Sequence, residues 1–101
     1  MVFRQAGDQF GEVFALRTLA ETLHQAGQPA AARAELVTAL RLATGTGNTY
    51  QLASTHRDLA ESQHHDGHDE QARYHWQQAV ILYTELGAPE ADHARSRLST
   101  G

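Results

Sequence analysis

The stretch LRTLAETLHQAG at residues 16–27 returns forty residues later as HRDLAESQHHDG at residues 56–67. Aligning residues 7–46 with residues 47–86 without a gap gives twelve identical positions, and a third copy begins at Gly87. The identical pairs are Gly7/Gly47, Arg17/Arg57, Leu19/Leu59, Ala20/Ala60, Glu21/Glu61, His24/His64, Gly27/Gly67, Ala32/Ala72, Arg33/Arg73, Ala39/Ala79, Leu42/Leu82 and Thr44/Thr84. A period of this size is typical of a solenoid, in which each repeat buries its apolar face against its neighbours.

Glycine-containing turns divide each repeat into two helical segments, so the sequence predicts an all-α fold of antiparallel helix hairpins. Repeat 1 covers about residues 7–46, repeat 2 about residues 47–86, and a C-terminal capping helix about residues 89–98. The five predicted helices run over about residues 8–26, 29–43, 48–66, 69–86 and 89–98. Apolar residues recur along them at steps of three and four, and no segment alternates as a half-buried strand does. The chain, residues 1–101, is therefore predicted to form one domain.

Residues at the predicted helix ends suit the positions that they occupy. Asp8 is expected to accept hydrogen bonds from the first free N–H groups of the first helix. Pro29 is harmless as a first helical residue, where the N–H that it lacks has no helical partner. Asn48 and Gln51 have the spacing of a capping box. Gly27 is expected to end the first helix in the left-handed conformation.

Small and large residues recur in a pattern that favours close packing of neighbouring helices. The small ones are Ala20, Ala60, Ala32, Ala72, Ala39 and Ala79, and the large ones opposite them are Leu19, Leu59, Leu36 and Trp76. Trp76 and Tyr83 are predicted to lie in the core. Phe3 precedes the first predicted cap and is expected to be exposed or to belong to a further helix.

The composition narrows the possible function classes. The chain has 101 residues and a net charge of −4, and its basic residues are eight arginines without a lysine. Direct nucleic-acid binding is not expected because it normally needs a basic face. The absence of cysteine excludes disulfides and thiolate chemistry. There is no apolar run of membrane-spanning length and no secretory signal at the start, so a cytoplasmic protein without a membrane partner is expected.

The repeated positions resemble those of the tetratricopeptide repeat family. The matching residues, in the family's order, are Leu19-Ala20, Gly27, Ala32, Leu36 and Ala39 in repeat 1 and Leu59-Ala60, Gly67, Ala72, Trp76 and Ala79 in repeat 2. Leu16 fills the family's first large-residue position, where repeat 2 has His56, and Thr44 and Thr84 replace the usual proline. The period exceeds the usual one of about 34 residues, so the repeats resemble the lengthened ones of kinesin light chains and bacterial signal-transduction regulators.

The tail, residues 82–98, is similar to the closing segment of actinobacterial antibiotic-regulatory transcription factors. These resemblances imply a protein–protein interaction module without catalytic activity or cofactor, forming the C-terminal part of a larger bacterial signalling or transcriptional regulator. They also imply that a protein or peptide partner binds in a concave groove lined by the first helix of each repeat.

Six repeated polar residues have no evident packing role. They share one helix face in each repeat because they lie at steps of four and three; they are Arg17, Glu21 and His24 in repeat 1 and Arg57, Glu61 and His64 in repeat 2. One interpretation is an Arg–Glu pair within each helix, or simple inheritance from a duplicated unit. The other is a polar groove whose arginines bind a carboxylate of a peptide or helix, with the glutamates orienting them. The same geometry places Phe14, Gln25, Ser54 and His65 beside it.

The run His64-His65-Asp66-Gly67-His68-Asp69 contains residue types that bind zinc or nickel. Gly67 interrupts the helical spacing of His64 and His68, and the run coincides with a turn, so no metal site is predicted. A pH-responsive surface is the alternative, since histidine titrates near neutral pH.

Catalysis has no support in the sequence. The serines at 54, 62, 96 and 99 lack the context of a nucleophile elbow, and no glycine loop of the phosphate-binding type is present. The chain is therefore predicted not to be an enzyme.

Self-association is a further possibility. Helical solenoids usually need three or more repeats for stability. Two repeats and a capping helix leave end faces that a second copy or upstream repeats would cover, and a homodimer is predicted.

Overall fold

The computed structural model describes residues 6–99, and this part of the chain consists of five α-helices without a strand. The helices are α1 (Ala6–Gln25), α2 (Pro29–Thr44), α3 (Thr49–His65), α4 (Asp69–Leu86) and α5 (Glu90–Ser99). The predicted all-α fold is confirmed for these residues, and each helix end lies within two residues of its predicted position. Phe3 lies outside the described residues.

Three helices end in the same way, at a glycine in the left-handed conformation. Gly27, Gly67 and Gly87 have φ values of 78°, 83° and 66°. The N–H after each glycine donates to the carbonyl five residues earlier, in the pairs Gln28–Leu23, His68–Gln63 and Ala88–Tyr83. This arrangement satisfies carbonyls that a helix end would leave free. The predicted left-handed conformation of Gly27 is confirmed.

The starts of α1 and α3 differ from the sequence prediction. The Asn48 side chain accepts from the Gln51 N–H at 2.8 Å, as in a capping box. The Gln51 side chain, however, donates to the Phe10 carbonyl of α1 at 2.9 Å, so only half of the box forms. Because α1 already includes Ala6, Asp8 lies inside its first turn. The prediction that Asp8 caps this helix is wrong.

Neighbouring helices pack in chain order. The helices α1 and α2 contact each other along their lengths, as do α3 and α4, and the turns between them are short, so each pair is an antiparallel hairpin. The helix α3 also packs on α2 and touches α1, while α5 packs on α4. The described chain measures 45 × 34 × 18 Å, and its smallest dimension is close to two helix diameters.

The core consists of large side chains set among alanines. Trp76 and Tyr83 are 3% and 0% exposed and pack with alanines of α3, α4 and α5, as predicted. Leu59 of α3 is 2% exposed and packs with Ala20 and Leu36 of repeat 1. Leu19, its counterpart in repeat 1, is 43% exposed. The prediction that both leucines pack in the same way is therefore wrong.

The central helix α3 buries an unusual number of polar side chains: Gln51, Ser54, Thr55, His56, Ser62 and Gln63. Most of them are hydrogen-bonded, as buried polar groups must be to offset the loss of water. The Thr55 hydroxyl donates to the Gln51 carbonyl at 2.8 Å. Within the described residues, the Oε1 atoms of Gln51 and Gln63 are buried without a partner.

Candidate ligand-binding groove

An open hollow of about 610 Å³ lies between α1 and α3. Ala20 and Leu36 contribute buried apolar surface to it. The other lining residues are Phe14, Arg17, Thr18, Glu21, His24, Arg57, Asp58, Glu61, Ser62 and His65. We call this hollow the groove. Seven of the nine candidate site residues lie in it, namely Phe14, Arg17, Glu21, His24, Arg57, Glu61 and His65.

Asp58 joins the two repeats by accepting from both arginines of the groove. Its Oδ2 lies 2.6 Å from Arg17 Nε, and its Oδ1 lies 3.2 Å from Arg57 Nη2. Arg17 therefore donates across the helix interface to Asp58, not along its own helix to Glu21 as the Arg–Glu interpretation expected. A guanidinium has five N–H donors, and the bond to Asp58 engages one of those of Arg17.

Asp58 was not predicted as a site residue. The residue in the same position of repeat 1 is Thr18. A comparison that looks for repeated residues therefore cannot find Asp58, and the signal available in the sequence was only its position next to Arg57.

Two histidines from different repeats meet at one end of the groove. His24 Nε2 lies 3.0 Å from Ser62 Oγ. The rings of His24 and His65 are 5.4 Å apart in an edge-to-face arrangement. Glu21 and Glu61 are exposed, and Phe14 is 61% exposed. The groove thus combines charged groups of both signs, two imidazoles and an exposed aromatic ring.

Ser54 lies outside the groove. Its side chain is 1% exposed, and its Oγ lies 2.7 Å from the Tyr83 hydroxyl in the core between α3 and α4. Burial raises the pKa of Tyr83, while the bond from Ser54 acts in the opposite direction. The prediction that Ser54 flanks the groove is wrong, because α4 covers this position of repeat 2.

His64 also lies outside the groove. Its Nδ1 is 3.0 Å from Asp69 Oδ1, and it lines a second hollow of about 410 Å³ with Trp76, Arg97 and other residues of α4 and α5. The Arg97 guanidinium lies 5.4 Å from the Trp76 ring centre. His64 and its neighbour His65 thus serve different surfaces. Among residues 6–99, no group of three or more histidine, aspartate or glutamate side chains could hold a metal ion.

A histidine pair lies in the hairpin of repeat 2. His56 Nδ1 and His75 Nδ1 are 2.9 Å apart, so one nitrogen must donate and the other accept. Burial, followed by the influence of His75, lowers the pKa of His56 to about 4. Burial also lowers the pKa of His75. Both imidazoles are therefore neutral at pH 7.

Tyr50 and Glu90 link α3 to the start of α5. The Tyr50 hydroxyl donates to Glu90 Oε2. This bond raises the pKa of Tyr50 and lowers the pKa of Glu90, because it favours the protonated phenol and the ionised carboxylate.

The described residues thus form an all-helical protein with an open groove between α1 and α3, the first helices of the two repeats. Charged groups of both signs line this groove. Comparison with known protein families, curated proteins and solved structures gives no match. Within residues 6–99, no helix is long and apolar enough to cross a membrane.

Proposed function

We propose that the chain is a non-catalytic protein-interaction module of the tetratricopeptide type and that its groove binds a peptide or helix of a partner protein. The observation that carries this proposal is the convergence of corresponding residues. Arg17 and Glu21 of α1 and Arg57 and Glu61 of α3 line one open hollow. A stacked pair of repeats would bring its first helices together in this way.

The arginines suit a partner that carries a carboxylate. Asp58 accepts from both Arg17 and Arg57 and holds their guanidinium groups in place. Three carboxylates and two arginines line the groove, so a partner's carboxylate would be bound by the directional N–H donors that Asp58 leaves available and not by net charge. A charge-assisted bond from the remaining N–H donors to a carboxylate would be stronger than a neutral one. Phe14, with 61% of its surface exposed, adds an apolar contact beside the arginines. The proposed partner segment therefore carries an acidic residue and an apolar residue on one face.

The proposed biological setting is the C-terminal regulatory part of a larger cytoplasmic bacterial regulator. It rests on the sequence resemblance of residues 82–98. In that setting the groove would pass a signal through a bound protein segment, and no chemical step would be needed.

Peptide selection tests the groove directly. A displayed library of random helix-length peptides is selected on the immobilised chain, and the best binder is titrated by calorimetry. Arg17→Ala and Arg57→Ala each leave Asp58 paired with the other arginine, so the fold should persist. Each change should weaken binding by about tenfold or more, the size expected for one charge-assisted bond.

The control is Arg41→Ala, which removes an exposed arginine of α2 outside the groove. It should bind the selected peptide as the parent chain does. Failure to select any binder, or equal affinity of all three variants, would contradict the proposed function.

A further inference from the structure

Two imidazoles from different repeats, those of His24 and His65, form the end of the groove that lies farthest along α1 and α3. Their ring centres are 5.4 Å apart, and His24 Nε2 lies 3.0 Å from Ser62 Oγ. A serine hydroxyl can donate or accept a hydrogen bond, so this contact can hold the His24 ring in both its neutral and its protonated form. His24 is half-buried and His65 is exposed, so a positive charge on either ring stays in contact with water.

The net charge of the groove depends on the protonation of these two imidazoles. With both rings neutral, the lining has two arginines and three carboxylates, and its net charge is −1. The carboxylates are those of Glu21, Asp58 and Glu61. Protonation of both rings would change the net charge to +1. Histidine is the side chain whose charge changes between about pH 5 and pH 8, so a change of pH within this range can reverse the sign.

Charged groups on the same two helices act on the imidazoles in both directions. Glu21 precedes His24 by three residues and Glu61 precedes His65 by four, so each carboxylate shares a helix face with an imidazole and favours its protonated form. Both histidines also lie in the last turn of their helices, where the helix dipole attracts a positive charge. The two guanidinium groups of the groove and the repulsion between two protonated rings oppose this effect. A ligand carboxylate between the rings would offset the repulsion.

Two ion pairs lie beside this end of the groove, on the neighbouring helices. Arg33 of α2 pairs with Asp66 at the end of α3. His64 of α3 pairs with Asp69 of α4, outside the groove. Among residues 6–99, α2 contributes Leu36 to the lining and α4 contributes none. The imidazoles, the two glutamates, Asp58 and the two arginines therefore determine the charge that a ligand meets.

We propose that His24 and His65, when protonated, bind a carboxylate of the partner segment, so that the groove binds acidic segments more tightly in mild acid. We call the two rings the imidazole subsite. It rests on the proposed function of the groove and adds a second acidic position to the partner. His24 lies seven residues after Arg17 on α1, about 10 Å along the helix axis. The partner would therefore carry two acidic residues separated by about seven positions in a helix or about three in an extended segment.

The pH range of the test separates this effect from two others. Burial lowers the pKa of His56 to about 4 and also lowers the pKa of His75, so this buried pair does not produce the response. Aspartate and glutamate side chains of a peptide stay ionised above about pH 5.5. Measurements between about pH 5.5 and pH 7.5 therefore change the charge of accessible histidines and leave the ligand carboxylates charged.

Calorimetry at the two ends of this range tests the imidazole subsite. The peptide library is selected again on the immobilised chain at about pH 5.5. The probe is the best binder whose affinity depends on Arg17 and Arg57. The parent chain should bind it about tenfold more tightly at the lower pH, the size of one added charge-assisted bond. The double variant His24→Gln/His65→Gln should lose this difference, because glutamine is polar but does not take up a proton.

His68→Gln is the matched control, since His68 is exposed in the turn before α4 and does not line the groove. It should keep the pH dependence of the parent chain. Titrations in buffers of different ionisation enthalpy count the protons that bind together with the peptide. The parent chain should take up protons near neutral pH, and the double variant should not, because ligand and proton binding are linked reciprocally.

Changes in the peptide locate the carboxylate that faces the imidazole subsite. Each acidic residue of the probe is replaced by its amide in turn, and only one replacement should abolish the pH dependence. An arginine-dependent peptide with equal affinity at both pH values, or with the same pH dependence in the double variant, would overturn the subsite and leave the proposed function intact. Absence of any arginine-dependent binder at either pH would overturn both. Circular dichroism at both pH values checks that each variant keeps its helices.

Discussion

Arg17 of α1 and Asp58 of α3 form an ion pair that joins the two repeats at the groove, with 2.6 Å between Nε and Oδ2. About a fifth of each side chain is exposed. The pair therefore has a mixed role: it links α1 to α3 and at the same time offsets part of the arginine charge in the groove. A substitution at Asp58 should affect stability and ligand binding together.

Asp58→Ala should lower the free energy of unfolding by about 1–2 kcal/mol. The change removes an acceptor that Arg17 and Arg57 share. Hydrogen bonds to charged groups contribute about 1.5–3 kcal/mol when buried, and less here because about a fifth of the Asp58 side chain is exposed. Urea denaturation monitored by circular dichroism measures the effect. Asp92→Ala is the control, since Asp92 forms an exposed pair with Arg95 and should contribute less than about 0.5 kcal/mol. Equal losses in both variants would contradict a special role of Asp58.

The His56–His75 pair should make the fold sensitive to mild acid. The pKa of His56 falls from its ordinary value of 6.5 to about 4 in the folded chain. The unfolded chain therefore binds more protons than the folded chain between these values. The free energy of unfolding is therefore highest above pH 6.5. It decreases as the pH falls from 6.5 towards 4, by at most about 3 kcal/mol.

His56→Leu tests this pH dependence, because repeat 1 has Leu16 in the same position. The variant should show a flatter decrease of unfolding free energy between pH 6.5 and pH 4 than the parent chain. His68→Leu is the control, since His68 is exposed in the turn before α4. Parallel pH profiles for parent and His56→Leu would show that the histidine pair is not the cause.

Tyr83→Phe should destabilise the hairpin of repeat 2 without affecting the groove. It leaves the buried Ser54 hydroxyl without its partner at 2.7 Å, which typically costs about 1–2 kcal/mol. Ser54→Ala in the same chain should recover part of this loss, and a double-mutant cycle in urea gives the coupling energy. Binding of a groove peptide should be the same in Ser54→Ala as in the parent chain. Weaker binding of the peptide by Ser54→Ala would show that Ser54 contributes to the groove.

The helices could be predicted well because their ends are encoded locally. Gly27, Gly67 and Gly87 mark left-handed turns, and Pro29 marks a helix start. These signals act within a few residues, so one sequence is enough to read them. The polar interior of α3 could not be predicted in this way. Thr55 and Gln63 look like surface residues until packing on both sides of the helix is known.

The groove could be predicted only in part because its two walls share some repeat positions and differ in others. The pairs Arg17/Arg57 and Glu21/Glu61 line it from both helices, as the repeat alignment predicts. The alignment also pairs His24 with His64, but the structure sets His24 against His65 and Ser62. The facing sides of two neighbouring helices overlap only partly in repeat position, so the alignment cannot identify every lining residue. The prediction that Ser54 lies beside the groove is wrong for a related reason, because α4 covers this position.

Two glycine substitutions should have opposite effects on stability. Gly67→Ala places a side chain at φ 83°, which alanine adopts only with strain, and should cost about 1 kcal/mol. Gly11 lies inside α1 with nothing within 4 Å of an added Cβ, so Gly11→Ala should raise the free energy of unfolding by about 0.5–1 kcal/mol. Thermal and urea denaturation of both variants at low concentration measure these changes in the monomer. A loss of stability in both would mean that Gly11 has a role in the fold beyond helix propensity.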